Sequence, residues 1–294
     1  MPPPVRTRSI VPQLQDEKYS RLLKLKEDVT TRYVKQEAWT WDESFLPADA
    51  LDELVTEESV LSVLQETRIE KPVHWGLASW VVESGKKVFL ILVLMTRKTD
   101  EKLSCLECLK YGGVDDSVLP LDFKDDGCAF PKDKPHDEPE LTTFKNWDLN
   151  DRLLFESHQW RLLAPIFCPS DDFYYQLYRQ QPLPYLTKPV CFGTIWRADI
   201  HPAHIHQHCL SDLGIDIPNS VSNGISVAIK KAKNSEYLAE FFEGETKTME
   251  KLLETISPHL KIWPIATYQR GEERCLIFRW VDSSNLVNHQ LRAW

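Results

Sequence analysis

Lys230 closes the stretch Val227-Ala228-Ile229-Lys230, and Glu245 follows fifteen positions later. A lysine ammonium is a point-charge ligand for phosphate oxygens, and a carboxylate on a following helix can hold it in place. The pair alone is not diagnostic, because Lys and Glu also form purely structural ion pairs. Histidine is concentrated too: His201, His204, His206 and His208 fall within eight residues, and Cys209 follows. Imidazole and thiolate suit zinc, yet zinc sites usually draw ligand pairs from separated elements. These histidines are therefore expected to be solvent-exposed or locally hydrogen-bonded, and no metal site is expected. Cys105 and Cys108 form one CxxC with no second to complete a zinc site, so two thiols on a helix are expected. Ser, His and Asp are scattered without a GxSxG nucleophile elbow.

The elements that would position Lys230 and Glu245 begin where the texture changes near residue 185. CFGTIWRADI, GISVAIKKA, WPIATYQRG and RCLIFRWV are short β-branched stretches around one helical segment, 235–256. They predict the order strand, strand, strand, helix, strand, strand. Glu245, Met249 and Leu252 share one face of that helix at i, i+4, i+7. Upstream the periodicity is helical. Tyr19, Leu22, Leu23, Val29 and Tyr33 mark an amphipathic helix within 16–35, and Leu51, Leu54, Val55, Leu61 and Leu64 mark another within 48–64. Glu57 and Glu58 there suit a local helix start. The apolar run 88–95 (VFLILVLM) could be a central strand or a buried helix, and helix is preferred here. Residues 123–140 are acidic, Pro-bearing and poor in aliphatics, the composition of a loop or disordered linker. Trp160, Leu162, Leu163, Ile166 and Phe167 are expected to pack against the C-terminal module.

Residues 183–294 resemble the small N-terminal lobe of a protein kinase. The likeness rests on VAIK, on Phe192-Gly193-Thr194-Ile195 as the end of a glycine-rich loop, on the helix FEGETKTMEKL, and on CLIFRWVD as last strand and hinge. More narrowly, FESHQWRLLAPIF, LPYL, IHPAH and SPHLKIWPIATYQRGEERCLIFRWVDSSNL are similar to a group of filamentous-fungal Ser/Thr protein kinase-like proteins. The resemblance implies an α+β chain: a largely helical N-terminal region, then a five-stranded antiparallel sheet with one helix. It implies Lys230 and Glu245 as the catalytic-type pair. It further implies an ATP site at Leu186, Gly193, Ile195, Ala228, Lys230, Phe278 (the gatekeeper), Arg279 and Val281, with magnesium present only alongside the nucleotide. The first two glycine positions hold Lys188 and Val190, where close approach to phosphate normally needs no side chain. No HRD catalytic loop or DFG turn follows Lys230. Weak ATP binding without phosphotransfer by this chain alone is expected; a non-catalytic, pseudokinase-like interaction module is the alternative.

The bulk properties bound the rest. At 294 residues and 42% hydrophobic content the chain can bury a core. Its net charge of -9 argues against a nucleic-acid partner. Eight apolar residues are far short of the roughly 20 that span a bilayer, so no membrane association is expected. The start lacks a signal-like apolar stretch and the seven cysteines are odd in number, which favours free thiols in an intracellular, cytoplasmic or nuclear, setting. The expected organisation is a flexible tail (1–15), a helical region (16–122), an acidic linker (123–146), a segment packing on the lobe (147–182) and the lobe (183–294), truncated after the hinge. A lobe ending there would expose apolar surface to a protein partner or to self-association.

Overall fold

The computed structural model describes residues 20–35, 44–96, 102–132, 140–168, 174–192, 195–206, 224–231, 244, 247 and 264–280. It is a mixed α+β chain that divides into two units, residues 1–32 with 50–159 and residues 33–49 with 160–294. The helices in chain order are α1 (Ser20–Arg32), α2 (Ala48–Leu54), α3 (Glu57–Leu64), α4 (Lys71–Ser84), α5 (Lys86–Met95), α6 (Leu106–Tyr111) and α7 (Leu149–Trp160). None of the described helices is long and apolar enough to cross a membrane.

In the first unit the run 88–95 is a helix, and every residue of α5 from Val88 to Met95 is buried. A helix with no polar face needs neighbours all round, and α1 and α4 supply them. Both of its ends are satisfied from elsewhere in the chain. Asp116 accepts the N–H groups of Lys87 and Val88 at 3.0 Å at the N-terminus. Lys26 Nζ donates to the carbonyls of Leu94 at 2.8 Å and Thr96 at 2.7 Å at the C-terminus. Anion at the start and cation at the end both complement the helix dipole.

The expected helix over 48–64 is two helices, broken at Thr56. Its side chain accepts the Ser59 N–H while Ser59 Oγ accepts the Thr56 N–H, a capping box that starts α3 at Glu57 and Glu58. The region expected to be helical to residue 122 ends in a strand, β1 (Leu121–Phe123), which pairs antiparallel with β2 (Ala129–Pro131) inside the stretch expected to be an acidic linker. The buried Gln159 of α7 holds this pair, its amide oxygen accepting from Leu121 N–H at 2.8 Å and its amide nitrogen donating to Leu121 O at 2.9 Å. Phe123, Phe144, Trp147 and Phe155 then pack edge to face. The segment expected to cover the lobe is thereby divided: Phe155 belongs to this cluster, whereas Phe167 is in the core of the second unit.

The second unit is a six-stranded mixed sheet in the order β3-β7-β8-β6-β5-β4. Its strands are β3 (Tyr174–Leu177), β4 (Val190–Phe192), β5 (Ile195–Ile200), β6 (Ile225–Lys231), β7 (Pro264–Arg270) and β8 (Glu273–Arg279). Five are mutually antiparallel neighbours, and the sixth corrects the five-stranded expectation: β3 pairs parallel on the outer edge of β7, Tyr174 opposite Thr267. Its sequence, YYQL, is too short to announce a strand by alternation. Gly271, at φ +62°, opens the two-residue turn between β7 and β8, a left-handed conformation that suits glycine. Only Gly244 and Lys247 of the predicted helix 235–256 are described, and both are helical.

Asp116 provides a test of the α5 clamp. Asp116→Ala removes the acceptor for two amide donors and is expected to cost about 1–2 kcal/mol in urea melts. Burial raises the Asp116 carboxyl above its ordinary 3.8, against the pull of the Lys87 and Val88 amides. A raised folded pKa means that the folded state binds the proton more tightly. Relative to Asp116→Asn, the wild type should therefore lose stability as pH rises through the window above 3.8. A constant difference across that window would remove the assignment.

Candidate functional site

β6 lies between β5 and β8, and its register decides which predicted residues meet. Lys230 stands opposite Ile195 and Leu276, and Ala228 stands opposite Arg197 and Phe278. Directly opposed residues share a face, so Ile195, Ala228, Lys230 and Phe278 lie together. Leu186 joins them. Its N–H donates to Asp199 O at 2.7 Å, and its Cδ1 lies so near Gly224 that a Cβ there would meet it at 2.7 Å. Lys230 is exposed, Ala228 and Phe278 are half-buried, and Leu276 and Thr267 beside them are buried. Arg279 is opposite Val227, so its side chain has the parity of the other face. Glu245, Gly193 and Val281 fall outside the described residues.

The same face carries residues that motif reasoning passed over. Two positions before Ala228, Ser226 Oγ donates to Asp199 Oδ1 at 2.6 Å and accepts from Arg197 Nη2 at 3.2 Å. Thr187 Oγ1 donates to Asp199 Oδ2 at 3.1 Å. The Arg197 guanidinium lies 5.1 Å from the Trp280 ring centroid, and the Trp280 N–H donates to Ser226 O at 3.0 Å. Counting in steps of two along β5, β6 and β8 from Ala228 would have found all of these but Thr187. The face thus runs from the exposed Lys230 ammonium past Ala228 and Phe278, with Arg197 directly opposite Ala228, to Trp280 beside Ser226 about 13 Å away. That sequence of surfaces suits a ligand with an anionic end and a flat ring.

The histidines have other employment. His204 is buried; its Nδ1 donates to Pro165 O at 2.9 Å and its Nε2 accepts the Ala48 N–H at 3.2 Å. The carbonyl can only accept and the amide can only donate, so the ring is the neutral Nδ1–H tautomer with both nitrogens in use. His201 is also buried, and its Nδ1 accepts the Ala203 N–H at 3.3 Å. Phe45 meets both rings edge to face, at centroid distances of 6.4 Å and 5.1 Å. The expectation of exposed or local contacts is corrected for His204, whose partner Ala48 is 156 residues away. His206 is exposed, and His208 and Cys209 fall outside the described residues.

Cys105 ends a 3₁₀ turn and Cys108 lies on α6. A third cluster, Asp126, Cys128 and Glu140, brings its ligand atoms within 4.8 Å of one another. Burial raises the Cys128 thiol, whereas Glu140 is lowered by its hydrogen bond from Lys124 and Asp126 by the Cys128 amide. A protonated thiol beside two already occupied carboxylates is a hydrogen-bonded turn. No family model, curated protein or solved structure matches the chain.

The histidine knot has a signed pH dependence. Burial lowers His201 below its ordinary 6.5, against the opposing charge of Asp49. The unfolded chain then takes up the proton first, so stability present above 6.5 is lost as pH falls through the window beneath it. His201→Asn keeps a cap acceptor that does not titrate, and it should lose less melting temperature on acidification than the wild type. His204→Phe leaves the Ala48 N–H and Pro165 O without their ring partner, at an expected cost of about 2–3 kcal/mol. A pH-independent difference between wild type and His201→Asn would refute the first expectation.

Proposed function

We propose that residues 183–294 form a protein-kinase-type small lobe whose Ala228 and Lys230 face binds ATP weakly. The observation that carries this reading is the register: Leu186, Ile195, Ala228, Lys230 and Phe278, chosen from motif resemblance, share one face of the sheet. In the proposed complex Lys230 meets the phosphates, Ala228 and Phe278 cover the adenine, and backbone groups at 279–281 hold its edge. Glu245 would act through Lys230, and magnesium would enter with the nucleotide.

Phosphotransfer is not proposed for these residues by themselves. The sequence contains neither an HRD loop nor a DFG turn, which supply the base and the metal ligands. The second reading is a pseudokinase-like interaction module. Val190, at a glycine position, is 57% exposed and Lys188, at another, is exposed, so side chains occupy the place where a phosphate would approach backbone.

Titration with a fluorescent ATP analogue separates the two. ATP binding is expected with Kd on the order of 0.1 mM or weaker, since only one side of the nucleotide is covered. Lys230→Ala, at an exposed position, should weaken it about 5-fold or more without changing the melting temperature, and Glu245→Ala should weaken it less. Binding insensitive to Lys230→Ala would sink the nucleotide reading, as would a larger effect of Glu245→Ala. No saturable binding would leave the interaction module standing.

A further inference from the structure

The opposite face of the same sheet holds a cavity of about 180 Å³. Its walls are Leu183, Tyr185, Trp196, Ile229 and Tyr268, and Lys188, Lys231 and Glu273 stand around it. Ile229 pairs with Trp196, and Lys231 pairs through Cys275 with Tyr268, so two adjacent cross-strand rows form its floor. Three aromatic rings in so small a space favour a flat, apolar guest. Apolar cavities of about 150 Å³ are known to take up benzene, so a single ring is the right size.

The charges decide what else the guest carries. Lys231 Nζ lies 3.1 Å from Glu273 Oε1 and 5.1 Å from the Trp196 ring centroid, and Arg270 Nη2 lies 4.0 Å from the other oxygen of that carboxylate. Lys188 is exposed and makes no ion pair among the described residues. The Tyr185 and Tyr268 hydroxyls lie 3.4 Å apart and are fully buried. Burial raises both phenols, so neither contributes an anion. The cavity therefore has an aromatic interior, neutral hydroxyls and an excess of positive charge around it, with Lys188 the cation at its edge that is in no ion pair among the described residues.

We propose that this cavity is a binding site for a small aromatic carboxylate, its ring against Trp196, Tyr185 and Tyr268 and its carboxylate at Lys188. The site is independent of the nucleotide reading, because Ile229 and Lys230 point to opposite faces of β6. A one-ring ligand held by one charge contact is expected to bind with Kd on the order of 1 mM.

The test is fluorine NMR titration of the full chain with 4-fluorobenzoate, 4-fluorobenzyl alcohol and 4-fluorobenzylamine. Saturable binding is expected in the order benzoate, alcohol, amine. Lys188→Glu, a surface change, should weaken benzoate about 3- to 5-fold or more while leaving the alcohol within about 2-fold. Ile229→Phe, which fills the floor, should abolish binding of both, with a thermal melt to confirm that the variant is folded. ATP at 1 mM should displace neither. The proposal is overturned by an absence of saturable benzoate binding at 20 mM, or by benzoate binding that Lys188→Glu leaves unchanged. Amine bound as tightly as benzoate, or displacement of benzoate by ATP, would overturn it too.

Discussion

β6 is the strand on which the second unit depends, because its alternation assigns every neighbour to a face. Ile225, Val227 and Ile229 are buried among Phe167, Tyr185, Ile200 and Ile277, which leaves Ser226, Ala228 and Lys230 to the other side. A slip of one residue would put an ammonium into that core and three aliphatic side chains outside it. The penalty for burying an unpaired charge makes the alternative register inaccessible. The position of Lys230 therefore follows from hydrophobic burial of its odd-numbered neighbours, whatever the lysine itself does.

The first unit solves a different problem. An eight-residue apolar run has no solvent face, so it can fold only where all sides are covered and both sets of helix-end groups are satisfied. Asp116 takes two of the N-terminal amides and Lys26 takes the Leu94 and Thr96 carbonyls at the other end, from 29 and 68 positions away, which ties distant segments to one helix. The desolvated Asp116 is retained because two amide donors would otherwise be buried without an acceptor.

Much of this was legible in the residues and some was not. The helix at 88–95 was a preference that periodicity could not decide, because an apolar run of eight reads equally well as a buried strand. The β-branched stretches from 190 onward and the Glu57 start followed from spacing and composition. So did the face shared by Ala228 and Lys230, since a strand period of two allows nothing else. The parallel strand β3 was not legible, because four residues of YYQL carry no periodicity and its partner lies 93 positions on. Nor was the capping of the Ala48 N–H by His204, because a histidine shows its hydrogen-bond partners only in three dimensions. The break of α7 from its neighbourhood at Trp160 escaped for a related reason: Phe155 and Phe167 have the same hydrophobicity and belong to different cores.

The two faces of the sheet meet in the departure from the glycine pattern. In the proposed nucleotide complex Lys188 would stand where a phosphate loop needs bare backbone, which is why only weak binding is proposed. The same residue stands at the mouth of the aromatic cavity on the other side, where a flexible cation is useful. Two consecutive residues of β6, Ile229 and Lys230, likewise serve one face each. The two faces can vary independently without altering the core, because exchange at exposed positions leaves the buried alternation of β6 untouched.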